Sequence, residues 1–475
     1  MNQNVKAQTL SWWKELFPLA VVSMVLYYLM LTWSPLVGIV VMLPMVVIGY
    51  LFGATPFWWM LIGLVPLSVN TEIFMDSAVG MYLPTEPLLL GFLILSLLYF
   101  IKHPIERKYV NHPISRLVML YYGWMFISVF FSSHFLVSLK SFTAHMWYVV
   151  PVLYLGSRLL KKKNKRLQFL HLYIAGFAVV LFYTFIRLWI HGFPVKASQW
   201  LMQPFVKDHT LLGAILGLVM PYLYLRSFSV ESTVTKRFLW MGLAGLSTAV
   251  LIYTHSRAAL LSLAAAGVIY LFVRFRVRFR VLVAAGLMIL GLVIWNQDTL
   301  IEKLSANQSE SSGELVENIE SISNISSDAS NLERINRWNS AIEMWKVRPL
   351  FGWGPGTYQF EYAPFQNSAD LTIISTNIGD VGNAHSEFLG TLAESGTPAF
   401  ILFLLLVVVT LGTAYRRVLK LRGRDRLVLL GALLGLVAYF THGVLNNFLN
   451  SDKVSVLVWG FSAIIILYDV EKRKV

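Results

Sequence analysis

The 475-residue chain has no cysteine, which removes disulfides, thiolate nucleophiles, Cys-ligated zinc and iron–sulfur clusters on inventory alone. It is also poor in charge. Asp, Glu, Lys and Arg make up 13% of the residues against 56% hydrophobic, and the mean hydropathy of +0.63 lies outside the range of an ordinary soluble domain. Two further patterns are missing. No Gly-Lys-Ser/Thr follows a glycine-rich stretch, so a Walker-type nucleotide site is not supported. The apolar runs also lack the alternating polar face of a transmembrane barrel. With lipid as the solvent, helices are the spanning element that remains.

What is present is a succession of long apolar runs. A bilayer core of roughly 30 Å asks for about 20 apolar residues per helix. Spans are therefore expected near 17–32, 36–53, 57–69, 87–101, 115–132, 141–157, 167–190, 209–225, 238–254, 258–273, 281–296, 390–415, 427–446 and 454–469. The fold class this implies is an all-α polytopic membrane protein with about 12–14 transmembrane helices. Pro35, Pro56 and Pro66 interrupt the early runs, so tilted or re-entrant pieces are expected there. The first run follows Lys6 and Lys14 as a signal peptide would, but no small-residue cleavage site comes after it, and it reads as an anchor.

The formal net charge of +14 does not point to nucleic acid. The basic residues fall in six short clusters between apolar runs: Lys102 to Lys108, Arg158 to Arg166, Arg226 to Arg237, Arg274 to Arg280, Arg416 to Arg426 and Lys472 to Lys474. The positive-inside rule assigns all six to the cytoplasm, with an even number of crossings between consecutive clusters and both termini inside. The intervening loops then face outward. The longest, about 297–384, holds twelve of the 25 carboxylates and five basic residues. The chain divides into N-terminal transmembrane helices (1–204), a second transmembrane group (205–296), this partly helical outside loop (297–384) and C-terminal transmembrane helices (385–475). Ser305 to Ser330 reads as a polar linker. Asn331 to Val347 reads as an amphipathic helix through Ile335, Trp338, Ala341, Ile342 and Trp345, ended by Pro349 and followed by the turn Gly352-Trp353-Gly354-Pro355-Gly356.

Four stretches on the outward side carry residues suited to chemistry. In Thr254-His255-Ser256-Arg257, the arginine stands at the edge of an apolar hairpin, where it must snorkel, pair or face a cavity; its fork also offers paired donors to phosphate oxygens. In Asn383-Ala384-His385-Ser386-Glu387, the histidine lies where the chain re-enters the membrane, and imidazole is the side chain best matched to proton abstraction near neutral pH. Glu387 points to another face of the helix that follows, and Glu394 to the face opposite His385. Arg334 and Arg337 lie on the amphipathic helix, which by itself reads as an interfacial element with arginines in water and tryptophans at head-group level. Lys207 and His209, around Asp208, add charge at a fourth outer loop. His-x-Glu alone does not make a metal site.

In combination these pieces resemble the O-antigen ligase and O-antigen polymerase superfamily of bacterial membrane glycosyltransferases. The resemblance rests on the Ser256-Arg257 junction, the Arg337-Trp338 helix, the Pro349 to Gly356 turn with Tyr358, and Asn383-Ala384-His385 running to Gly396, across residues 205–447. Where the family often carries an Asp-Pro-Asn-like stretch, this chain has Asp208-His209-Thr210. The resemblance implies a GT-C-like fold in the bacterial cytoplasmic membrane, with its active site toward the periplasm or outside. It implies transfer of a glycan from a polyprenyl-pyrophosphate lipid (such as undecaprenyl pyrophosphate) to a glycan or glycolipid acceptor, with inversion and without a metal or other cofactor. His385 would then assist deprotonation of the acceptor and Arg257 would stabilise the leaving pyrophosphate, with Lys207, His209, Arg334, Arg337 and Glu387 as substrate-binding candidates. Ligase and polymerase differ only in acceptor, and no motif separates them. A lipid-linked glycan transporter is the competing class; it predicts charges through helix centres and pseudo-symmetric halves, whereas the charges here cluster at outer ends and no repeat is visible.

Overall fold

The computed structural model describes residues 53, 55–70, 81–193, 200–229, 233–295, 329–367, 371 and 382–471. The spans expected at 17–32 and 36–53, almost all of the linker to Ser330 and the tail cluster lie outside the described residues. The described chain is helical apart from one two-residue hairpin, β1 (Val69–Asn70) against β2 (Tyr82–Leu83), antiparallel with Val69 opposite Leu83.

In chain order the helices are α1 (Thr55–Leu64), α2 (Thr85–Lys102), α3 (Arg107–Val110), α4 (Pro113–Phe130), α5 (Phe135–Tyr148), α6 (Gly156–Leu159), α7 (Lys163–Ile190), α8 (His209–Ser227), α9 (Val234–Tyr253), α10 (Arg257–Arg274), α11 (Phe279–Trp295), α12 (Ala329–Val347), α13 (Tyr358–Glu361), α14 (Glu387–Val418), α15 (Gly423–Leu445) and α16 (Asp452–Glu471). Among the described residues eight of these, α2, α4, α7, α8, α10, α14, α15 and α16, are long and apolar enough to cross a membrane. The molecule is an all-α polytopic membrane protein. The run expected at 57–69 is shorter than a crossing: α1 spans 10 residues and passes into a single 3-10 turn at Val65–Leu67, where Pro66 stands. The run at 141–157 bridges α5 and α6 through a wide π turn, Val149–Leu155. Pro151 has no amide to donate there, and its carbonyl takes the Trp58 indole N–H at 3.1 Å.

The apolar residues sort by surroundings. α8, α15 and α16 are buried along most of their length, while α2, α4 and α10 present Leu97, Ile101, Leu120, Leu261 and Leu271 outward, as helices bathed in lipid do. α8 packs on α9, α10 and α15, and α15 packs on α10 and α14, so α8 and α15 form the centre about which the site is built. The charges at the start of α16 are fully enclosed and mutually satisfied. Lys453 Nζ donates to the Ser68 carbonyl at 3.1 Å and meets Asp452 at 3.3 Å, and Ser68 and Thr85 hydroxyls donate to the other Asp452 oxygen. This network ties α16 to α2 and the hairpin.

Candidate active site

Arg257 is placed by a left-handed turn. α9 ends at Thr254, His255 takes φ of +50°, and the Ser256 hydroxyl caps α10 by accepting from the Ala259 amide at 3.4 Å. The turn is pressed against α8 at Gly213, where a Cβ would stand 2.9 Å from both Ser256 Oγ and Ala259 Cβ. Only glycine permits that approach, and it brings Arg257 to the start of α8. There Asp208 Oδ1 accepts the Thr210 and Leu211 amides at 2.9 Å each, an N-cap that neutralises two orphan donors. Lys207 is exposed, and His209, the first residue of α8, is half-buried.

The outer face of the site is α12. The expected reading, with arginines in water and tryptophans in lipid head groups, is overturned. Arg337 is 4% exposed and is ion-paired to Glu333 at 2.6 Å, and its guanidinium lies 4.0 Å from the Tyr362 ring centre. The three indoles reach protein partners: Trp338 Nε1 donates to the His385 carbonyl at 3.2 Å, Trp345 Nε1 to Thr397 Oγ1 at 2.9 Å, and Trp353 Nε1 to the Met344 carbonyl at 2.9 Å. The most deeply buried stripe of α12 is Glu333, Asn336, Arg337, Ser340, Ala341 and Met344. Hydropathy does not mark it, because its polar members are enclosed by partners rather than by lipid.

The turn after α12 docks into a break in α14. Gly396 departs from helix at φ 76°, ψ −177°, exposing the carbonyls of Ala393 and Glu394, which accept the Trp353 amide at 3.0 Å and the Gly354 amide at 2.8 Å. Glu394 Oε1 takes the Tyr358 amide at 3.1 Å, so this intramembrane carboxylate clamps the glycine turn. Glu387 does the same on the other side: Oε1 accepts Tyr439 Oη and the Phe448 amide at 2.6 Å and the Leu449 amide at 2.7 Å. Of the two glutamates the motif contains, each holds a loop in place.

His385 stands between these clamps, half-buried, at φ of +46°. Its amide donates to Asn383 Oδ1 at 2.9 Å and its carbonyl is held by Trp338, so the backbone is fixed on both sides. Burial holds the imidazole down to about 4; Arg334 and Arg337 push it the same way, and Glu333 and Asp208 oppose them. Arg334 is itself pushed down to about 10, first by burial and then by Arg257. These mutual influences place residues of all four stretches within electrostatic reach of one another: Arg257 acts on Arg334 and Arg334 on His385, with Asp208 and Glu333 within range but engaged in a helix cap and an ion pair.

One member of the site escaped the sequence reading. His442, near the end of α15, is 1% exposed and within electrostatic reach of Arg334 and Asp208. Its Nδ1 pairs with the Asn446 amide at 3.4 Å, and its Nε2 has no hydrogen-bond partner among the described residues. The available signal was a histidine inside an apolar span, where an ionisable group is costly and marks a site by default.

The fold and this convergence define a multi-pass membrane protein with a cationic, histidine-bearing site at one end of its helix bundle. Residues 242–404 match the family model described as O-antigen ligase, a stretch that holds Arg257, Arg334, Arg337, His385 and Glu387. No curated protein matches the chain.

Proposed function

We propose that the protein is a glycosyltransferase moving a glycan from a polyprenyl-pyrophosphate carrier to an acceptor sugar on the outer face of the bacterial cytoplasmic membrane, as an O-antigen ligase does. The observation that supports this most directly is the approach of Arg257 to Arg334. Two guanidiniums drawn together in a half-buried site repel each other, and a bound pyrophosphate relieves that repulsion while its oxygens match the planar donor forks. Cations held in place in this way suit a leaving group that gains charge as the bond breaks.

In the reaction, the acceptor hydroxyl attacks the anomeric carbon, the bond from that carbon to the pyrophosphate oxygen breaks with its electron pair leaving on oxygen, and the hydroxyl proton passes to His385. His385 is neutral at pH 7 but a weak base, because burial, and after it Arg334 and Arg337, oppose its protonation. A bound pyrophosphate offsets those charges and raises the imidazole's basicity. Base strength would therefore appear with the donor in place. Arg337, paired to Glu333, acts on this reading as a brace, and Glu387 as a positioning residue.

The test is the envelope glycan profile of a strain lacking the gene, complemented with wild type, His385→Ala or Arg257→Ala. Polymer accumulating on the polyprenyl carrier, with none on its final acceptor, identifies a ligase; collapse to single repeats identifies a polymerase. Unchanged profiles with both variants present in the membrane would sink the site assignment.

A further inference from the structure

Helices that carry the candidate site at one end carry a second feature at the other. α10 opens at Arg257 and closes at Arg274, while α15 runs the opposite way, from Gly423 toward His442. Where α10 ends and α15 begins, a cavity of about 390 Å³ lies between them and the end of α8, within the range of roughly 300–1,000 Å³ common to small-ligand sites. Leu225, Leu427 and Leu430 form its apolar wall, and Tyr270, Arg274 and Arg426 its polar one.

Several observations give this cavity a sign. Arg426 Nε is buried without a hydrogen-bond partner among the described residues. The acid of that turn, Asp425, is turned away, accepting from Lys163 and from Tyr468 Oη at 3.1 Å. α15 begins at Gly423 on the cavity, and its N-cap, Arg422, supplies no side-chain hydrogen bond, so the positive end of a 23-residue helix adds to the two guanidiniums. Leu271 and Phe275, each next in sequence to a residue that lines the cavity, are exposed apolar side chains.

We infer that this cavity binds the phosphate of an anionic glycerophospholipid, with Arg274, Arg426 and the start of α15 on the phosphate and the leucine wall against the upper acyl chains. Arginines that only set topology need no convergence from two helices on one apolar-walled cavity. A cationic pocket between helices is, by contrast, what recognises a lipid head group.

The test uses the full-length protein purified in a neutral detergent and titrated with phosphatidylglycerol, phosphatidylcholine or inorganic phosphate, with binding read by native mass spectrometry and by the shift in thermal unfolding. Phosphatidylglycerol is expected to bind about tenfold more tightly than phosphatidylcholine. The Arg274→Gln/Arg426→Gln variant should lose about tenfold of that affinity, while Arg107→Gln, at the same membrane face but away from the cavity, keeps it. Equal phosphatidylglycerol binding by wild type and double variant overturns the site, equal binding of both lipids overturns the role of charge, and saturation by inorganic phosphate at the lipid's own concentrations overturns the lipid assignment. If the double variant does not fold, the two single substitutions carry the same comparison.

Discussion

The indole N–H of Trp338 donates to the main-chain carbonyl of His385 at 3.2 Å. A side chain on the outer helix thus holds the backbone of the residue proposed as base, at a left-handed φ that an L-residue rarely adopts. Trp338→Phe keeps the ring and removes the donor. It is expected to lower kcat about tenfold, as loss of one positioning contact does, with KM for the donor changed little. A fall in thermal stability without any kcat effect would make Trp338 a packing residue only.

His385→Ala and Arg257→Ala are each expected to abolish glycan transfer, with membrane level and insertion intact. Lys163→Ala is the control: its ion pair with Asp425 is exposed on the lysine side, and such pairs contribute about 0–1 kcal/mol. Transfer assayed with purified lipid-linked donor separates these outcomes, and the same assay in chelator is expected to retain activity.

The histidine also predicts a pH dependence. An unfolded chain protonates it near the ordinary value of about 6.5, while in the folded protein burial holds it down to about 4. Stability is therefore full above the unfolded value and falls as pH drops from about 6.5 toward 4. The unfolding midpoint of wild type should decline across that window more steeply than that of His385→Gln. An identical slope in the two proteins would contradict the buried neutral imidazole. In turnover, the acid limb of the rate profile should lie above 4, because bound donor raises the base.

Glu387→Ala removes one oxygen that serves Tyr439 Oη and the amides of Phe448 and Leu449. Each buried donor left without a partner costs about 1–3 kcal/mol, so this variant should unfold well below wild type in a detergent melt. Glu387→Gln keeps an acceptor oxygen and should recover most of the loss. Equal destabilisation by both would mean that the negative charge, rather than the hydrogen bonds, matters there.

Gly396→Ala tests the break in α14. A Cβ there would stand 2.1 Å from the Leu350 carbonyl oxygen, at φ of +76°. The substitution should displace the turn from Pro349 to Gly356, lower transfer severely and reduce protection of the Trp353 and Gly354 amides from hydrogen exchange.

Composition and the spacing of apolar runs by themselves determined the lipid solvent, the helical class and most of the span boundaries, because burial in hydrocarbon requires about 20 apolar residues per crossing however the helices pack. The sequence also singles out Arg257 and His385, because an arginine or a histidine at the end of an apolar run is costly without a purpose; the roles given to them remain the proposal made above. Tertiary structure alone decided the rest. Hydropathy assigned Arg334 and Arg337 to water, but their environment is set by α14 and the glycine turn, residues more than forty positions away in part. Whether Glu387 and Glu394 meet substrate or bind loops depends on which amides face them, and those amides become available only where Gly396 breaks a helix and the chain turns after α15. For His442 the sequence offers only a costly histidine inside an apolar span; its nearness to Arg334 and Asp208 arises from tertiary packing, which no local pattern encodes.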